Sequence, residues 1–561
     1  MKVLLVYPNF LEDRKHAEEI SMPPQGIYNV AAVLKANGYD VDLFNWYHFR
    51  QPGEQFIDAL KAQNPDIIGF SILNANRWGG IDLASVAKDQ CPGVTIVFGG
   101  VGATYLWEHL LTHFLQIDYV VIGGGDYSFL HLVKHIESGA TPIAEIGGIA
   151  YRKEGTAIRN PGASFIEDLD SLPCPAEYFS YQHVSLTRGC PGKCTFCGSP
   201  EFWDRRVRFR SAKHFVGELE TLYRKGVRFF FFSDDTFTIQ KKKAIDVCQM
   251  IIDKKLPIAW QAISRVDMID EEILFWMRRA GCIQISYGVE SGSEKIRKML
   301  KKNYSTDQIE NAFALTVKYG IMSRAYFIYG CQGETDDTVE KTIALMNRIK
   351  PLSAIFYILD IFPGTELYND FKKNCATTDD VWLKRIEDIL YFETDPALSQ
   401  DQVLAFGQKL RASFYESLPG FVDALELADI EELYPFHADF LSRLAMTFDH
   451  GDYARIDAIS RKEDIAQRLY QKALSFSPDA RAYLGLGIRL QRTGQPEASI
   501  KLLNDATGYF PDDEQLNICL GVSYMNMARY EDALHYFEPF QQLAHVKKFM
   551  AECHQRLNRF F

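Results

Sequence analysis

Short apolar runs alternate with amphipathic stretches over the first 140 residues. The runs are KVLLVYP, VDLFNW, DIIGFSIL, TIVFGG and YVVIGGG, and helices are predicted near 25–37, 54–63, 80–90, 104–115 and 128–138. Continuous apolar strands separated by helices predict a parallel sheet covered on both faces. We therefore expect a doubly wound, Rossmann-like α/β domain over 1–140, with its ligand beyond the carboxyl ends of the strands.

A second alternating pattern follows a turn-rich segment, 141–180, which is predicted to be a linker. Its apolar runs are YQHVSLTRG, VRFFFFSDD, IAWQAISRVD, IQISYGVES, SRAYFIYG and AIFYILDIFPG. Helices are predicted between them near 212–225, 239–254, 270–280, 305–319 and 335–349. Six strand–helix units predict an open (β/α)6 partial barrel over 181–375, with its chemistry at the carboxyl ends of the strands.

The strand pattern stops near residue 375, and the rest of the chain is helical in character. Residues 376–460 are predicted to form a helical extension, and a repeat follows in 461–561. Four positions recur 34 residues later: Gly487, Gly494, Ser499 and Ile500 return as Gly521, Ala528, Ala533 and Leu534. A 34-residue helix–turn–helix period is the tetratricopeptide (TPR) pattern. We expect an all-α, TPR-like region, with ordinary helical hairpins in accidental register as the alternative.

Length, charge and cysteine use narrow the class of protein. A chain of 561 residues should hold several domains, and its net charge of −12 argues against a general nucleic-acid binder. The apolar run in MKVLLVYPNF is too short for a secretory signal. The sequence has no run of about 18 apolar residues, so no membrane span is predicted. Eleven cysteines, scattered apart from one cluster, predict a reducing cytoplasm rather than a disulfide framework.

That cluster lies in TRGCPGKCTFCGSP, directly after the first strand of the second pattern. Cys190, Cys194 and Cys197 fall within eight positions, and no fourth cysteine lies nearby. Thiolates at such spacing hold zinc or an iron–sulfur cluster, and a structural zinc site needs four protein ligands. Three ligands on a four-iron cluster would leave one iron open to a small molecule, which is a catalytic arrangement.

SLTRGCPGKCTFC resembles the C-x3-C-x2-C signature of radical S-adenosylmethionine (SAM) enzymes, and the similarity continues through FSDDTFT, GVESGSEKIRKMLKK and FPGTELY. With the amino-terminal α/β domain, residues 1–375 resemble the cobalamin (B12)-binding radical SAM family. The resemblance implies that the three cysteines bind a [4Fe–4S] cluster whose open iron takes SAM. One electron, from a donor such as flavodoxin or ferredoxin, would cleave SAM to a 5′-deoxyadenosyl radical that abstracts a substrate hydrogen.

The resemblance also implies a set of SAM contacts: Phe196, Ser233, Asp234, Asp235, Glu290 and Arg324. Phe196 would offer an aromatic face to the adenine, and the polar residues that end the second strand would accept from the ammonium. Glu290 would take the ribose hydroxyls. Arg324 would bind the SAM carboxylate by charge-assisted hydrogen bonds, with a solvated arginine as the alternative.

Cobalamin would lie at the glycine-rich strand ends of the first domain. Glycine there lets a large flat ligand approach the backbone closely, although any single glycine could simply make a turn. The predicted contacts are Ser71, Leu73, Gly99, Gly100, Gly123, Gly124, Gly125 and Asp126. Ser71 would meet the detached nucleotide base, and the glycines at 99–100 would leave room for its tail.

The loop after the first strand, PNFLEDRKHAEE, lacks the family's axial-histidine context. His16 is therefore expected to be a surface residue, and cobalamin is expected to bind base-off with no protein histidine on its lower face. Tyr7, Asn9, Phe10 and Leu11 are the nearest candidates to cover that face.

The resemblance leaves several functions open. The first is methylation of an unactivated carbon by methylcobalamin, and the second is cyclisation or rearrangement without methyl transfer. A methylthiotransferase needs three more cysteines in the first domain, where only Cys91 lies in 1–150. A scaffold with a vestigial site is disfavoured by the intact cysteine triad. The substrate is expected to be a small molecule or carrier-bound, and the TPR-like region is expected to bind a protein partner or that carrier.

Overall fold

The amino-terminal sheet of the computed structural model, which describes residues 1–12, 21–49, 53–139 and 141–558, has seven strands. They are β1 Lys2–Tyr7, β2 Asp40–Asn45, β3 Ile67–Ser71, β4 Thr95–Gly99, β5 Tyr119–Val121, β6 Ile149–Lys153 and β7 Thr156–Arg159. Their order is β2-β1-β3-β4-β5-β6-β7, and β1 to β5 run parallel. This confirms the Rossmann-like prediction.

Helices follow the parallel strands close to where the amphipathic pattern predicts them, except that two short helices stand where one was predicted near 104–115. They are α1 Gln25–Ala36, α2 Glu54–Gln63, α3 Arg77–Gln90, α4 Val101–Tyr105, α5 Trp107–His113 and α6 Asp126–Ser138. Ile27, Ala31 and Leu34 on α1 pack with Val3 and Leu5 of β1 in one core. Leu83 and Ala87 of α3 join a second core that also contains Leu4 and Val6. Alternate residues of β1 thus face two cores, as a sheet covered on both faces requires.

The predicted linker contributes a hairpin to this sheet. Strand β6 pairs antiparallel with β5, with Val121 opposite Ile149, and β7 completes the hairpin. Since β5 has only three residues, the hairpin covers what would otherwise be a short exposed edge.

The second sheet has six parallel strands in strictly sequential order, which confirms the repeated strand–helix prediction. They are β8 His183–Val184, β11 Phe229–Phe232, β12 Ala259–Ser264, β13 Cys282–Glu290, β14 Met322–Tyr329 and β15 Ser353–Ile358. A short antiparallel pair, β9 Thr187–Arg188 with β10 Arg208–Phe209, brackets the cysteine loop.

Helices follow these strands and cover one face of the sheet. They are α7 Ser199–Phe202, α8 Ala212–Arg224, α9 Lys241–Asp253, α10 Glu271–Arg279, α11 Glu294–Met299, α12 Thr306–Lys318, α13 Asp336–Ile349 and α14 Glu366–Asn374. Ala325 and Phe327 of β14 are buried in the same core as Leu345 of α13. The alternate residues of that strand, such as Tyr326, are half-buried on the opposite face.

The carboxyl-terminal part of the chain is helical. The helices are α15 Gln400–Asp423, α16 Tyr434–Asp449, α17 Lys462–Phe476, α18 Ala480–Arg492, α19 Pro496–Tyr509, α20 Glu514–Asn526, α21 Tyr530–Phe537 and α22 Ala544–Leu557. Small residues lie where they cross: a Cβ on Gly485 would lie 2.3 Å from the Tyr470 ring, and one on Gly521 would lie 2.4 Å from Phe537. The 34-residue repeat itself stays a prediction.

The first of the predicted repeat helices shares a core with the second sheet. Ile465, Leu469, Tyr470 and Ala473 of α17 belong to the core that contains the second sheet. A separate small core begins only at Leu503. Within the described ranges, no helix has the length and apolar character needed to cross a bilayer.

Candidate active site

A cavity of about 510 Å³ lies between the two sheets, at the carboxyl ends of strands from both. The first domain lines it with nine of the predicted cobalamin residues, which are Tyr7, Ser71, Leu73, Gly99, Gly100, Gly123, Gly124, Gly125 and Asp126. The second domain lines it with His183, Ser185, Thr187, Ser233 and Asp235. The two strand edges predicted separately from sequence therefore share one cavity.

The glycine at position 100 is required by the backbone. Its φ is 95°, and a Cβ there would lie 2.7 Å from the carbonyl oxygen of Ile72. That carbonyl accepts the N–H of Gly102 at 3.0 Å, which starts helix α4 beside the cavity. The neighbouring Gly99 differs, because its nearest contact for a Cβ is Val121 at an ordinary 3.7 Å. Gly99 thus leaves the floor open where a side chain would fit sterically.

The turn after β3 is held by a buried asparagine. Asn76 accepts the N–H of Leu73 at 2.8 Å, and its amide donates to the carbonyl of Ser71 at 3.3 Å. Ser71 and Leu73, predicted to meet the nucleotide base, both line the cavity. This network fixes the wall of the cavity without using their side chains.

The last residue of β1 faces the cavity, whereas the loop after it packs in the domain interior. Tyr7 lines the cavity, and its ring contacts Phe10 and Tyr47. Asn9 is absent from the lining and packs on α3, where a Cβ on Gly79 would lie 2.2 Å from the Asn9 carbonyl oxygen. His16 lies outside the described residues, so its expected surface position stays a prediction.

Asp126 lines the cavity but is already paired across the domain boundary. Its carboxylate accepts from both terminal nitrogens of Arg188, at 2.7 and 3.0 Å, and only 3% of the residue is exposed. Arg188 stands two positions before Cys190. This bidentate pair ties the start of α6 to the base of the cysteine loop.

The three predicted cluster cysteines lie on one loop after β9, each half-buried. A Cβ on Gly192 would lie 3.2 Å from the sulfur of Cys190 and 3.9 Å from that of Cys194, so these two thiols converge on one spot. The N–H of Gly192 donates to the Cys190 sulfur at 3.4 Å. Burial raises the pKa of Cys190, and it raises the pKa of Cys197 to about 12. Without a metal, the raised pKa keeps the Cys190 and Cys197 thiols protonated near neutral pH.

A buried ion pair stands beside the cysteine loop. Lys302 donates to Glu290 at 2.7 Å and lies 5.7 Å from the centroid of the Phe196 ring. Burial opposes the charge of Lys302, but the Glu290 carboxylate, with Tyr304 and Cys194, outweighs it and raises the pKa of the amine. Two predicted SAM residues, Phe196 and Glu290, are thereby joined through one lysine.

The acidic pair after β11 has two different environments. Asp234 is fully buried, and its oxygens accept from the N–H of Leu186 at 3.2 Å and from both donors of Thr187. Burial raises the pKa of Asp234 to about 6. Asp235 lines the cavity and accepts from Ser199 at 2.5 Å. Of the two, Asp235 is the carboxylate with a side open to a ligand.

Ser233 and Arg324 lie at different heights on the second sheet. Ser233 lines the cavity and is hydrogen-bonded to His183 Nδ1 at 2.8 Å. Arg324 is the third residue of β14 and donates to Ser353 at 3.2 Å. Glu290 is opposite Phe327, three residues further along β14, so Arg324 lies about 10 Å below it. The backbone of Arg324 therefore lies further from the carboxyl edge of the sheet than the backbone of Glu290 does.

Sequence reasoning missed the two cations that complete this site. Lys302 sits in the lysine pair of KMLKKN, whose other member, Lys301, makes an exposed pair with Glu366. Nothing in the local pattern separates the two lysines. Arg188 stands beside the cysteine motif but pairs 62 residues away, which only the fold reveals. Cys331, near the carboxyl end of β14, is fully buried with Ile296, Leu300 and Leu359 and is a packing residue.

The residues present fit the three cofactors that the resemblance implies. Three thiols on one loop form a soft donor set that suits an iron–sulfur cluster with one open position. The glycines of the first domain line the cavity on the side that faces the second domain, where Trp203 lies 3.6 Å from a Cβ on Gly124. The Phe196–Lys302–Glu290 group offers an aromatic face and fixed charges close to the thiols.

Family comparisons match both halves of this site. The family described as the radical SAM superfamily matches residues 184–346. The family described as the B12 binding domain matches residues 19–133. The cavity lies between these two matched segments.

Curated relatives cover most of the chain. An uncharacterized methyltransferase of Pyrococcus horikoshii is 29% identical over 432 residues, covering 74% of this chain and 92% of the relative. The anaerobic magnesium-protoporphyrin IX monomethyl ester cyclase of Rubrivivax gelatinosus is 29% identical over 391 residues, covering 66% of this chain and 70% of the relative.

A solved structure shares the fold. The radical SAM methyltransferase TsrM from Kitasatospora setae, with cobalamin and a [4Fe–4S] cluster bound, matches with a TM-score of 0.59 at 16% identity. The match covers 84% of this chain and 99% of that one. At this identity the likeness concerns the arrangement of elements rather than the chemistry.

Proposed function

Because the chain belongs to the B12-binding radical SAM enzyme family, we propose that it methylates an unactivated carbon of a small-molecule or carrier-bound substrate. The observation that carries the proposal is the shared cavity. Its lining joins the glycine edge of the B12-binding domain to the first strands of the radical SAM domain, from which the cysteine loop extends. A methyl donor and a hydrogen-abstracting centre would therefore face the same space.

A different group of residues would hold each of the three cofactors. The cysteines at 190, 194 and 197 would ligate the [4Fe–4S] cluster, and the glycines at 99–100 and 123–125 would admit cobalamin. Phe196, Ser233, Asp235 and Glu290 would orient SAM, with Lys302 fixing the Glu290 carboxylate. When bound, these groups supply one-electron reduction, radical hydrogen abstraction and a methyl group. The electron would come from a flavodoxin- or ferredoxin-like donor.

The substrate would lie on the half-buried face of the second sheet. Ile263 and Tyr357 are among the exposed large apolar residues of the chain, with 38% and 51% exposure. The Tyr326 and Tyr357 rings lie 5.9 Å apart on adjacent strands. Such a surface favours a substrate with an apolar body, and an apolar body is where unactivated carbons occur.

Product analysis distinguishes methylation from cyclisation. Reconstituted enzyme carrying reduced cobalamin is incubated anaerobically with SAM, and S-adenosylhomocysteine and 5′-deoxyadenosine are measured by mass spectrometry. A methyltransferase forms S-adenosylhomocysteine as SAM methylates cobalamin, even before its substrate is known. Deoxyadenosine without any S-adenosylhomocysteine would instead support a cyclase or rearrangement enzyme, the chemistry named for the Rubrivivax relative.

We further propose that cobalamin binds base-off without a histidine below the cobalt. Tyr7, the last residue of β1, lines the cavity, and the described part of the loop that follows, residues 8–12, contains no histidine. Since the axial ligand tunes the metal, this arrangement should be visible in electron paramagnetic resonance (EPR) of cob(II)alamin. Nitrogen superhyperfine splitting that disappears in His16→Ala would contradict it.

The carboxyl-terminal helices would bind a protein partner or a substrate carrier through TPR-like hairpins. Their crossings use small residues, and a cavity of about 360 Å³ between α16 and α18 is lined by Arg481, Arg492 and Asp513. Polar side chains on a helical hairpin surface suit recognition rather than catalysis.

A further inference from the structure

Two histidines and an aspartate meet at a second site, none of which lines the cavity described above. His109 and His113 stand one turn apart on α5 of the B12-binding domain. Asp380 belongs to a short 3-10 helix, Asp379–Leu383, that follows the second domain. One ligand atom from each residue lies within 4.8 Å of the other two.

His109 is the unusual member of this group. It is only 4% exposed, yet neither of its ring nitrogens has a hydrogen-bond partner among the described residues. Its ring contacts are aromatic, with His113 at 5.0 Å and Phe114 at 5.9 Å between centroids. Neither contact satisfies a ring N–H or a ring lone pair. A buried imidazole in this state lacks the partner that buried polar groups almost always have.

We propose that His109, His113 and Asp380 bind a divalent transition-metal ion, with zinc as the best match. Two imidazoles and one carboxylate, with water in a fourth position, form an established type of zinc donor set. Ligands at about 2.0–2.1 Å in a tetrahedron lie roughly 3.3 Å apart. His113 Nε2 and Asp380 Oδ1 are already 3.2 Å apart. A modest turn of the His109 ring would bring its nitrogen into the same shell.

Nearby charged groups would both repel and attract a metal cation at this site. The buried guanidinium of Arg77 repels a cation, but it stacks 4.7 Å from the Trp382 ring and donates to the Ile386 carbonyl. Asp379 and Asp380 act on His109 with the opposite sign. The acidic side of the site is thus the side from which an ion would enter.

The ion would pin a strap onto the B12-binding domain. The strap, residues 379–388, already contacts α3: Trp78 donates to the Lys384 carbonyl at 3.0 Å, and Arg385 pairs with Asp82. Its far end accepts a hydrogen bond from Asn74, next to the cavity residue Leu73, through the Glu387 carbonyl. Metal binding at Asp380 would therefore fix the end of a segment that reaches the cavity wall.

The test measures zinc in reconstituted holoenzyme that carries four irons per chain, so that zinc does not occupy the cysteine triad. Zinc titration followed by elemental analysis gives stoichiometry and affinity, and zinc K-edge X-ray absorption identifies the ligands. We expect about one zinc per chain with a nitrogen/oxygen shell near 2.0 Å and imidazole outer-shell scattering.

His113→Ala and Asp380→Asn alter partly exposed side chains and should fold normally. Each should weaken zinc binding by at least about 100-fold, since losing a direct ligand costs more than losing an outer-shell partner. His450→Ala, which removes a histidine paired with Asp449 at 3.6 Å, is the matched control and should bind as the wild type does. Sulfur scattering at zinc, or equal zinc affinity in all three variants, would overturn the proposal.

Discussion

The two sheet edges that meet at the cavity are built from opposite kinds of residue. The amino-terminal edge is rich in glycine and apolar side chains, and the carboxylate of Asp126, which lines the cavity there, is paired with Arg188. The edge of the second domain is rich in ionisable groups, including three cysteines, Asp235 and the Glu290–Lys302 pair. One edge recognises its ligand by leaving space, and the other by placing charges and sulfur. Substitutions on the amino-terminal side should therefore impair cobalamin binding, and those on the other side should impair cluster binding or SAM cleavage.

The largest effect should come from the sulfur donors. Replacing Cys190, Cys194 and Cys197 together by alanine removes every ligand of the predicted cluster, so iron should fall from four per chain to near zero and SAM cleavage should cease. Iron and sulfide assays after anaerobic reconstitution measure this. Cys331→Ala, in the packed interior, should keep its four irons. Four irons in the triple variant would show that the cluster is held elsewhere.

On the glycine side, filling space should abolish cobalamin binding while leaving the cluster intact. Gly99→Leu places a side chain on the open floor, and its Cβ meets Val121 at an ordinary 3.7 Å, so the fold should survive. We expect cobalamin affinity to fall by at least about 100-fold because the leucine side chain would occupy space in the cavity that Gly99 lines. Gly93→Leu, with nothing within 4 Å of its Cβ, is the control. Equal cobalamin content in both variants would show that cobalamin does not bind at the glycine edge.

Two adjacent lysines sharpen the contrast between buried and exposed charge. Lys302→Met leaves Glu290 buried and unpaired, which should cost about 3–5 kcal/mol and raise the KM for SAM. Lys301→Met breaks an exposed pair and should cost about 0–1 kcal/mol. Urea unfolding and SAM-cleavage kinetics measure both. Adding Glu290→Gln to Lys302→Met should restore part of the stability; if it does not, the pair is not the cause.

The smallest effect should come from the far carboxyl-terminal helices. A chain ending at Thr493 loses the small separate core but keeps α17, so SAM cleavage should stay within about twofold of the full chain. A chain ending at Ser460 removes α17 from the main core and should misfold. Deoxyadenosine formation and thermal melting report both outcomes. Loss of cleavage in the folded longer truncation would place the terminal helices in the active site.

The local sequence pattern predicts most of the fold and part of the candidate site. Apolar runs predicted the five parallel strands of the first sheet and the six of the second, and the cysteine spacing predicted the cluster loop, because each is a short-range property of the chain. The hairpin of β6 and β7 lies in the segment that was predicted to be a linker. The pairing of Asp126 with Arg188 spans 62 residues, and that of His113 with Asp380 spans two domains. Periodicity contains no signal for such contacts. The same reason explains Arg324, whose strand was predicted although its height on the sheet was not.

The central claim is that cobalamin and the cluster occupy one continuous site. Electron paramagnetic resonance of cob(II)alamin in the holoenzyme, recorded with the cluster oxidised and then reduced, tests this without a substrate. A reduced cluster nearby should broaden the cob(II)alamin signal and speed its relaxation, and the change should vanish in the triple cysteine variant. A cob(II)alamin signal that is identical in both states of the cluster would contradict the account.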